Sequence, residues 1–213
     1  KIYKQKHYVE RQPGAIRNSF RRLGVTLKNV KNEKKIFLFL LAFFFFIDGV
    51  YTIIDMATAY GTALGFDSTK LLLALLVTQI VAFPFAIIFG KLANCYKTER
   101  LIMICIGAYF GIAVFAIFLR EQWQFWILAV LVGMFQGGIQ ALSRSYFAKI
   151  IPPEKSGEYF GLMDICGKGA SFLGTTVISL ISQVTGHINI GVGSISLFFV
   201  IGMIMFRMAA AEK

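Results

Sequence analysis

The chain has 213 residues, 57% of them hydrophobic and 15% charged, with 22 Phe and a mean hydropathy of +0.68. Soluble domains carry about 25% charged residues, so this composition excludes a soluble globular, disordered, collagen-like or coiled-coil chain, and the dispersed Cys95, Cys105 and Cys166 make no disulfide framework. A formal charge of +11 points to nucleic acid in a soluble chain, but in an integral membrane protein it marks the cytosolic surface, and no nucleic-acid partner is expected.

Residues 1–35 form a separate basic, cytosolic unit. Ile16, Phe20, Leu23, Leu27 and Val30 recur at helical spacing, with Arg17, Arg21, Arg22, Lys28 and Lys31 on the other face. Such a helix lies on the anionic inner leaflet or packs under a bundle; Gly24 leaves a basic, partly helical linker as the alternative. Lys1 is not an initiator, which suggests a processed chain or one cut from something longer.

A helix needs about 20 apolar residues to cross about 30 Å of hydrocarbon. Six stretches qualify: Ile36–Asp55, Leu71–Phe89, Leu101–Leu119, Trp123–Leu142, Phe160–Val184 and Ile188–Phe206, giving a bundle over 36–206 and a tail over 207–213. No period-two alternation supports a barrel. The first span starts too far in, and lacks the cleavage site, for a signal peptide. Nineteen Lys and Arg fall on one side of this topology and two, Lys70 and Arg120, on the other, which predicts both termini in the cytosol. Trp123 and Trp126 would then sit in an outer aromatic belt, and Asp55 at the outer headgroups.

Charges inside the spans cost roughly 2.5–3.5 kcal/mol at a helix centre and need a reason. Asp48 lies about 18 Å along the first span and has no charged neighbour at helical spacing. It is either a cavity-facing carboxylate for a proton or a cationic substrate group, or a structural carboxyl bonded to a neighbouring helix. Asp164 and Lys168, four apart on the fifth span, are expected to pair, as part of a pathway or as a structural ion pair. Arg144, between Ser143 and Ser145, is a third member of that cluster or a snorkelling anchor. Gly107-xxx-Gly111 and Gly133-xxx-Gly137 are expected to let helices cross closely, and Pro84 to kink the second span. Gly167-Lys168-Gly169 is no P-loop, since the spacing and the missing Ser/Thr are wrong. His7 and His187 stand alone, so no metal site, cofactor or enzymatic nucleophile–base pair is expected.

Two segments carry a family resemblance. Phe46-Ile47-Asp48-Gly49-Val50-Tyr51-Thr52-Ile53, and Gly137-Gly138-Ile139-Gln140-Ala141-Leu142-Ser143-Arg144-Ser145 with Ile151-Pro152-Pro153-Glu154 and Gly157-Glu158-Tyr159-Phe160-Gly161, resemble the C-terminal half of the major facilitator superfamily, in its vacuole effluxer or "unknown major facilitator" branch. The resemblance covers residues 36–206. It implies an all-α membrane fold, six transmembrane helices in two inverted three-helix repeats, forming one half of a twelve-helix permease with a midplane substrate site. It also implies an N-terminal six-helix half as partner, the lipid bilayer, and a small solute, with amino acids suggested by the fungal members. Residues 1–35 become the end of the loop joining the halves. The membrane is that of the cell, or of the vacuole if the source is eukaryotic.

Asp48, Tyr51, Gln140, Asp164 and Lys168 are the pathway candidates; Arg144, Asn94 and Arg100 are the candidates for a cytosolic gating cluster. The family's loop after the second span, roughly G-x-L-A-D-R, reads Gly90-Lys91-Leu92-Ala93-Asn94-Cys95 here, so its acidic and basic latch residues are replaced. A Gly-Pro pair of the family in the fifth span is Gly174-Thr175. The competing expectations are a homodimeric half-transporter and a non-transporting membrane scaffold.

Overall fold

The computed structural model describes Val30 and residues 33–212. The amphipathic helix expected over 16–30 therefore lies outside the described residues, apart from a buried Val30. Helices α1 (Lys34–Ala63), α2 (Ser68–Cys95), α3 (Thr98–Ile117) and α4 (Gln122–Ile150) are followed by a 3-10 turn at Pro153–Lys155. Then come α5 (Ser156–Gly169), α6 (Phe172–Thr185), α7 (Ile188–Ser194) and α8 (Ser196–Ala211). Among the described residues these make six segments long and apolar enough to cross a membrane, the fifth from α5 with α6 and the sixth from α7 with α8. The chain is a multi-pass, all-helical membrane protein.

Local chemistry sets the helix ends. Asp67 caps α2 by accepting the Lys70 backbone N–H at 2.9 Å, and Gly65, at φ +81°, makes the turn before it. Glu121 and Gln124 form a reciprocal capping box at the start of α4, where Gln124 Oε1 accepts the Glu121 N–H at 3.0 Å. Helix α2 runs through Pro84 without interruption. A helix has no reason to stop at the hydrocarbon boundary, so α1, α2 and α4 extend past the apolar stretches that mark them.

Packing is uneven. Two-thirds of the apolar stretch of α1 is buried, against 17% in α2 and 17% in the fifth span. Helix α1 is the central pillar, held against α8 where Phe199 lies over Gly49 and Phe46 over Gly202. At one end of this pair Phe39 packs on Tyr146 and Phe147 with ring centroids 5.2 and 5.3 Å apart. Helices α2 and α4 cross closely: a methyl on Gly133 would meet the Thr78 carbonyl oxygen at 2.6 Å, and one on Gly137 would meet Ala86 at 2.7 Å. Thr78 Oγ1 also donates across the crossing to the Ala129 carbonyl at 3.1 Å. Gly133-xxx-Gly137 is thus a contact surface. Gly107-xxx-Gly111 is not one in this bundle, because nothing lies within 4 Å of a methyl placed on Gly111 and Met203 only grazes Gly107 at 3.8 Å. The exposed side chains of α2, among them Leu72, Leu76, Ile80 and Phe83, need no water-soluble cover, since lipid is as apolar as they are.

Candidate functional site

The fifth span was expected as one helix and is two. Helix α5 ends at Gly169, Ala170 is extended at ψ 156°, Ser171 turns left-handed at φ +78°, and α6 starts at Phe172. Gly167 and Gly169, each about 1 kcal/mol poorer than alanine in a helix, leave the segment little propensity to resist the break. Positive φ at a residue with a Cβ costs on the order of 1–2 kcal/mol, so something must hold it.

Asp48 does part of that. Its carboxylate is fully buried, and Oδ1 accepts the backbone N–H of Ser171. The carboxylate of α1 therefore sits at the N-terminus of α6, where free N–H groups and the helix dipole favour negative charge. This is a partner outside its own helix, at the break in the fifth span. Asp48 is not among the residues that line the neighbouring cavity. Thr52, one turn further along α1, is also fully buried, and a methyl on Gly174 of α6 would collide with its hydroxyl.

On the other side of the break is a cavity of about 410 Å³. Tyr51, Gln140, Arg144, Asp164, Lys168 and Ser171 supply its polar surface, and Phe43, Ile47 and Met163 supply apolar wall. Arg144 Nη2 donates to Asp164 Oδ1 at 2.7 Å, joining α4 to α5, with the two side chains 59% and 47% exposed. The expected Asp164–Lys168 pair is not formed. Asp164 is taken by an arginine from a facing helix, whose planar fork suits a carboxylate better than an ammonium. Lys168 is left exposed at the last turn of α5, with no ion pair among the described residues. The cavity therefore holds two cations and one anion.

Asn94 and Arg100 are exposed at the α2–α3 turn and make no side-chain bond to Arg144. The three do not form one cluster. At α-helix ends elsewhere, Lys149 Nζ donates to Thr98 Oγ1 at 3.0 Å and Tyr159 Oη to Glu33 Oε1 at 3.2 Å. Ser171 has no mark in the sequence beyond the run of small residues around Lys168.

The chain is a polytopic membrane bundle with a charged cavity of about 410 Å³ beside a broken span. The family model described as "Vacuole effluxer Atg22 like" matches residues 3–213, and the chain belongs to that family. It is 46% identical over 208 residues to the "Uncharacterized MFS-type transporter YxiO" of Bacillus subtilis, an alignment covering 98% of this chain and 49% of that protein. It is 26% identical to "Autophagy-related protein 22-2" of Aspergillus niger, over 92% of this chain and 35% of the relative. With "Autophagy-related protein 22" of Saccharomyces cerevisiae it shares 29% identity over 77% of this chain and 33% of the relative. The chain thus spans about half the length of the bacterial relative and about a third of the fungal ones.

Proposed function

We propose that the chain is the C-terminal six-helix half of a secondary transporter, working by alternating access against an N-terminal six-helix half. The observation that carries this reading is the charged cavity between α1, α4 and α5, enclosed by segments long enough to span a membrane. The transporter name of the bacterial relative, and the share of it that this chain spans, support it. In this reading residues 1–35 end the loop joining the halves, the helices form two inverted three-helix repeats, and both termini face the cytosol, as the charge bias favours.

The solute is a small zwitterion, of which an amino acid is the simplest case. Lys168 offers a cation to a carboxylate, and the exposed Arg144–Asp164 pair can open to share its acid with an ammonium group. An exposed pair holds by only about 0–1 kcal/mol, so exchanging partners with a solute is inexpensive. Tyr51 and Gln140 supply orienting hydrogen bonds, and Phe43, Ile47 and Met163 accommodate an apolar side chain.

Uptake of a radiolabelled amino-acid mixture into proteoliposomes holding the full-length protein tests this. Lys168→Met removes one charge-assisted contact worth about 1.5–3 kcal/mol, and should weaken solute affinity roughly ten- to hundredfold. Residues 1–213 alone should not accumulate solute, since one wall closes no pathway. Saturable uptake by that fragment would establish a homodimeric half-transporter instead, and no uptake by the full-length protein of any solute tried would favour a scaffold.

A further inference from the structure

We propose that Asp48 is a proton-binding site whose occupancy is transmitted to the break in the fifth span; this rests on the transporter reading above and names its coupling ligand. Asp48 is fully buried, and its Oδ2 has no hydrogen-bond partner among the described residues. Thr52 Oγ1, one turn along the same face, is likewise buried and without a partner. Two orphaned oxygens facing the start of α6 are costly, at about 1–3 kcal/mol each and more for a charged group. A ligand that occupies them is favoured.

The size of the site selects that ligand. Asp48 lines neither the large cavity nor the void of about 20 Å³, room for about one water, that Thr52 borders. Two side-chain oxygens are too few for a hard metal cation, which takes about six or more. A proton needs one lone pair, and Oδ2 has it free.

The break supplies the readout. Ser171 donates its backbone N–H to Asp48 on one side and lines the cavity on the other. One residue separates the carboxylate from cavity water. A proton delivered by that water leaves a hydronium O–H bond and forms the Oδ2–H bond, with Thr52 Oγ1 one turn away as the available acceptor. The carboxylate becomes neutral. It then attracts the N-terminus of the 14-residue α6 less, and accepts the Ser171 N–H less strongly. The left-handed Ser171 loses part of what holds it, and the Ala170–Ser171 wall of the cavity relaxes. Loss of the proton reverses each step.

The remaining charged and titratable groups leave this carboxylate to itself. Helix α5 carries Glu158, Tyr159, Asp164, Cys166 and Lys168, α4 carries Arg144, Tyr146 and Lys149, α3 carries Glu99, Arg100, Cys105 and Tyr109, α2 carries Lys70, Lys91 and Cys95, and α1 itself carries Lys34, Lys35, Tyr51, Asp55 and Tyr60. Helices α6 and α7 carry none, and α8 carries only Arg207 near its end. None of these makes an ion pair or hydrogen bond with Asp48 among the described residues.

The test is an infrared pH titration of the full-length protein in lipid bilayers without any solute. A protonated-carboxyl absorption should appear as pH falls, vanish in Asp48→Asn and persist in Asp164→Asn. In parallel, the thiol-labelling rate of the native Cys166, with the other cysteines changed to serine, is followed against pH. Its ratio between the parent and Asp48→Asn should change by about tenfold across the titration, the effect of one pKa unit of coupling. Should Asp48→Asn not fold, Asp48→Glu serves instead, because it must move both the band and the midpoint. The proposal is overturned if no absorption depends on Asp48, if the labelling ratio is flat, or if the band follows sodium at constant pH. Neither readout needs transport, so a failed uptake assay and a failed titration point to different errors.

Discussion

The first and fifth spans are both marked by apolar stretches of similar length and both carry acid, yet they are built as opposites. Helix α1 runs unbroken for 30 residues with most of its apolar stretch buried, while the fifth span is split into two 14-residue helices and has only 17% of its apolar stretch buried. Each acid follows its surroundings. Asp48, in the pillar, is sealed against a backbone N–H; Asp164, in the broken span, faces water and an arginine. Rigid support and adaptable wall are thus separate elements, joined where Asp48 and Thr52 meet the start of α6.

That comparison can be broken most severely at the seam. Gly174→Val places a branched side chain where a methyl already collides with Thr52 Oγ1, Cβ and Cγ2, and neither helix can yield without moving the pillar. Overpacking of this kind should cost about 1–3 kcal/mol, read as a clear fall in melting temperature in detergent. An unchanged melt would mean that α6 is free to shift, and the pillar-and-wall picture fails.

Ser171→Gly acts in the other direction. It removes the Cβ from a left-handed residue, and should stabilise by roughly 0.5–1 kcal/mol once the extra entropy of glycine is subtracted. If the break is used in transport, the more stable protein should be the slower one. A loss of stability would show that the Ser171 side chain has a partner more valuable than the relief of strain.

The smallest effects belong to the exposed pair. Arg144→Met and Asp164→Asn should each change stability by less than about 1 kcal/mol, because both charges are solvated in the cavity. Adding Lys168→Met to Asp164→Asn should restore nothing in folded yield, since Lys168 is not the partner of Asp164. A rescue by that double change would reinstate the i, i+4 pair and place Arg144 elsewhere.

Much of the fold is legible in the residues, and little of the site. The six apolar stretches lie within or along the six observed segments because crossing hydrocarbon depends on a sum over about 20 side chains, which no single contact overrides. The interior Asp, Lys and Arg stand out for the same reason, and Asp48, Asp164, Lys168 and Arg144 were all visible as anomalies. Their partners were not. Helical spacing states which side chains are able to meet on one helix, but Asp164 has a competing partner on α4, and Asp48 Oδ1 meets a backbone N–H that no side-chain pattern encodes. The same holds for the glycine pairs: Gly133 and Gly137 look like Gly107 and Gly111 in the chain, and only the placement of α2 makes the first pair a contact.

Composition, hydropathy and charge by themselves determined that this is a helical membrane protein, how many times it is able to cross, and which few polar residues need explaining, because burial in lipid is a property of each segment taken alone. Tertiary structure decided where the fifth span breaks, which cation holds Asp164, that Lys168 is left without a partner among the described residues, and that Asp48 is sealed behind Ser171 rather than open to the cavity. Those outcomes depend on distances between helices far apart in the chain, where differences of about an ångström separate a hydrogen bond from none.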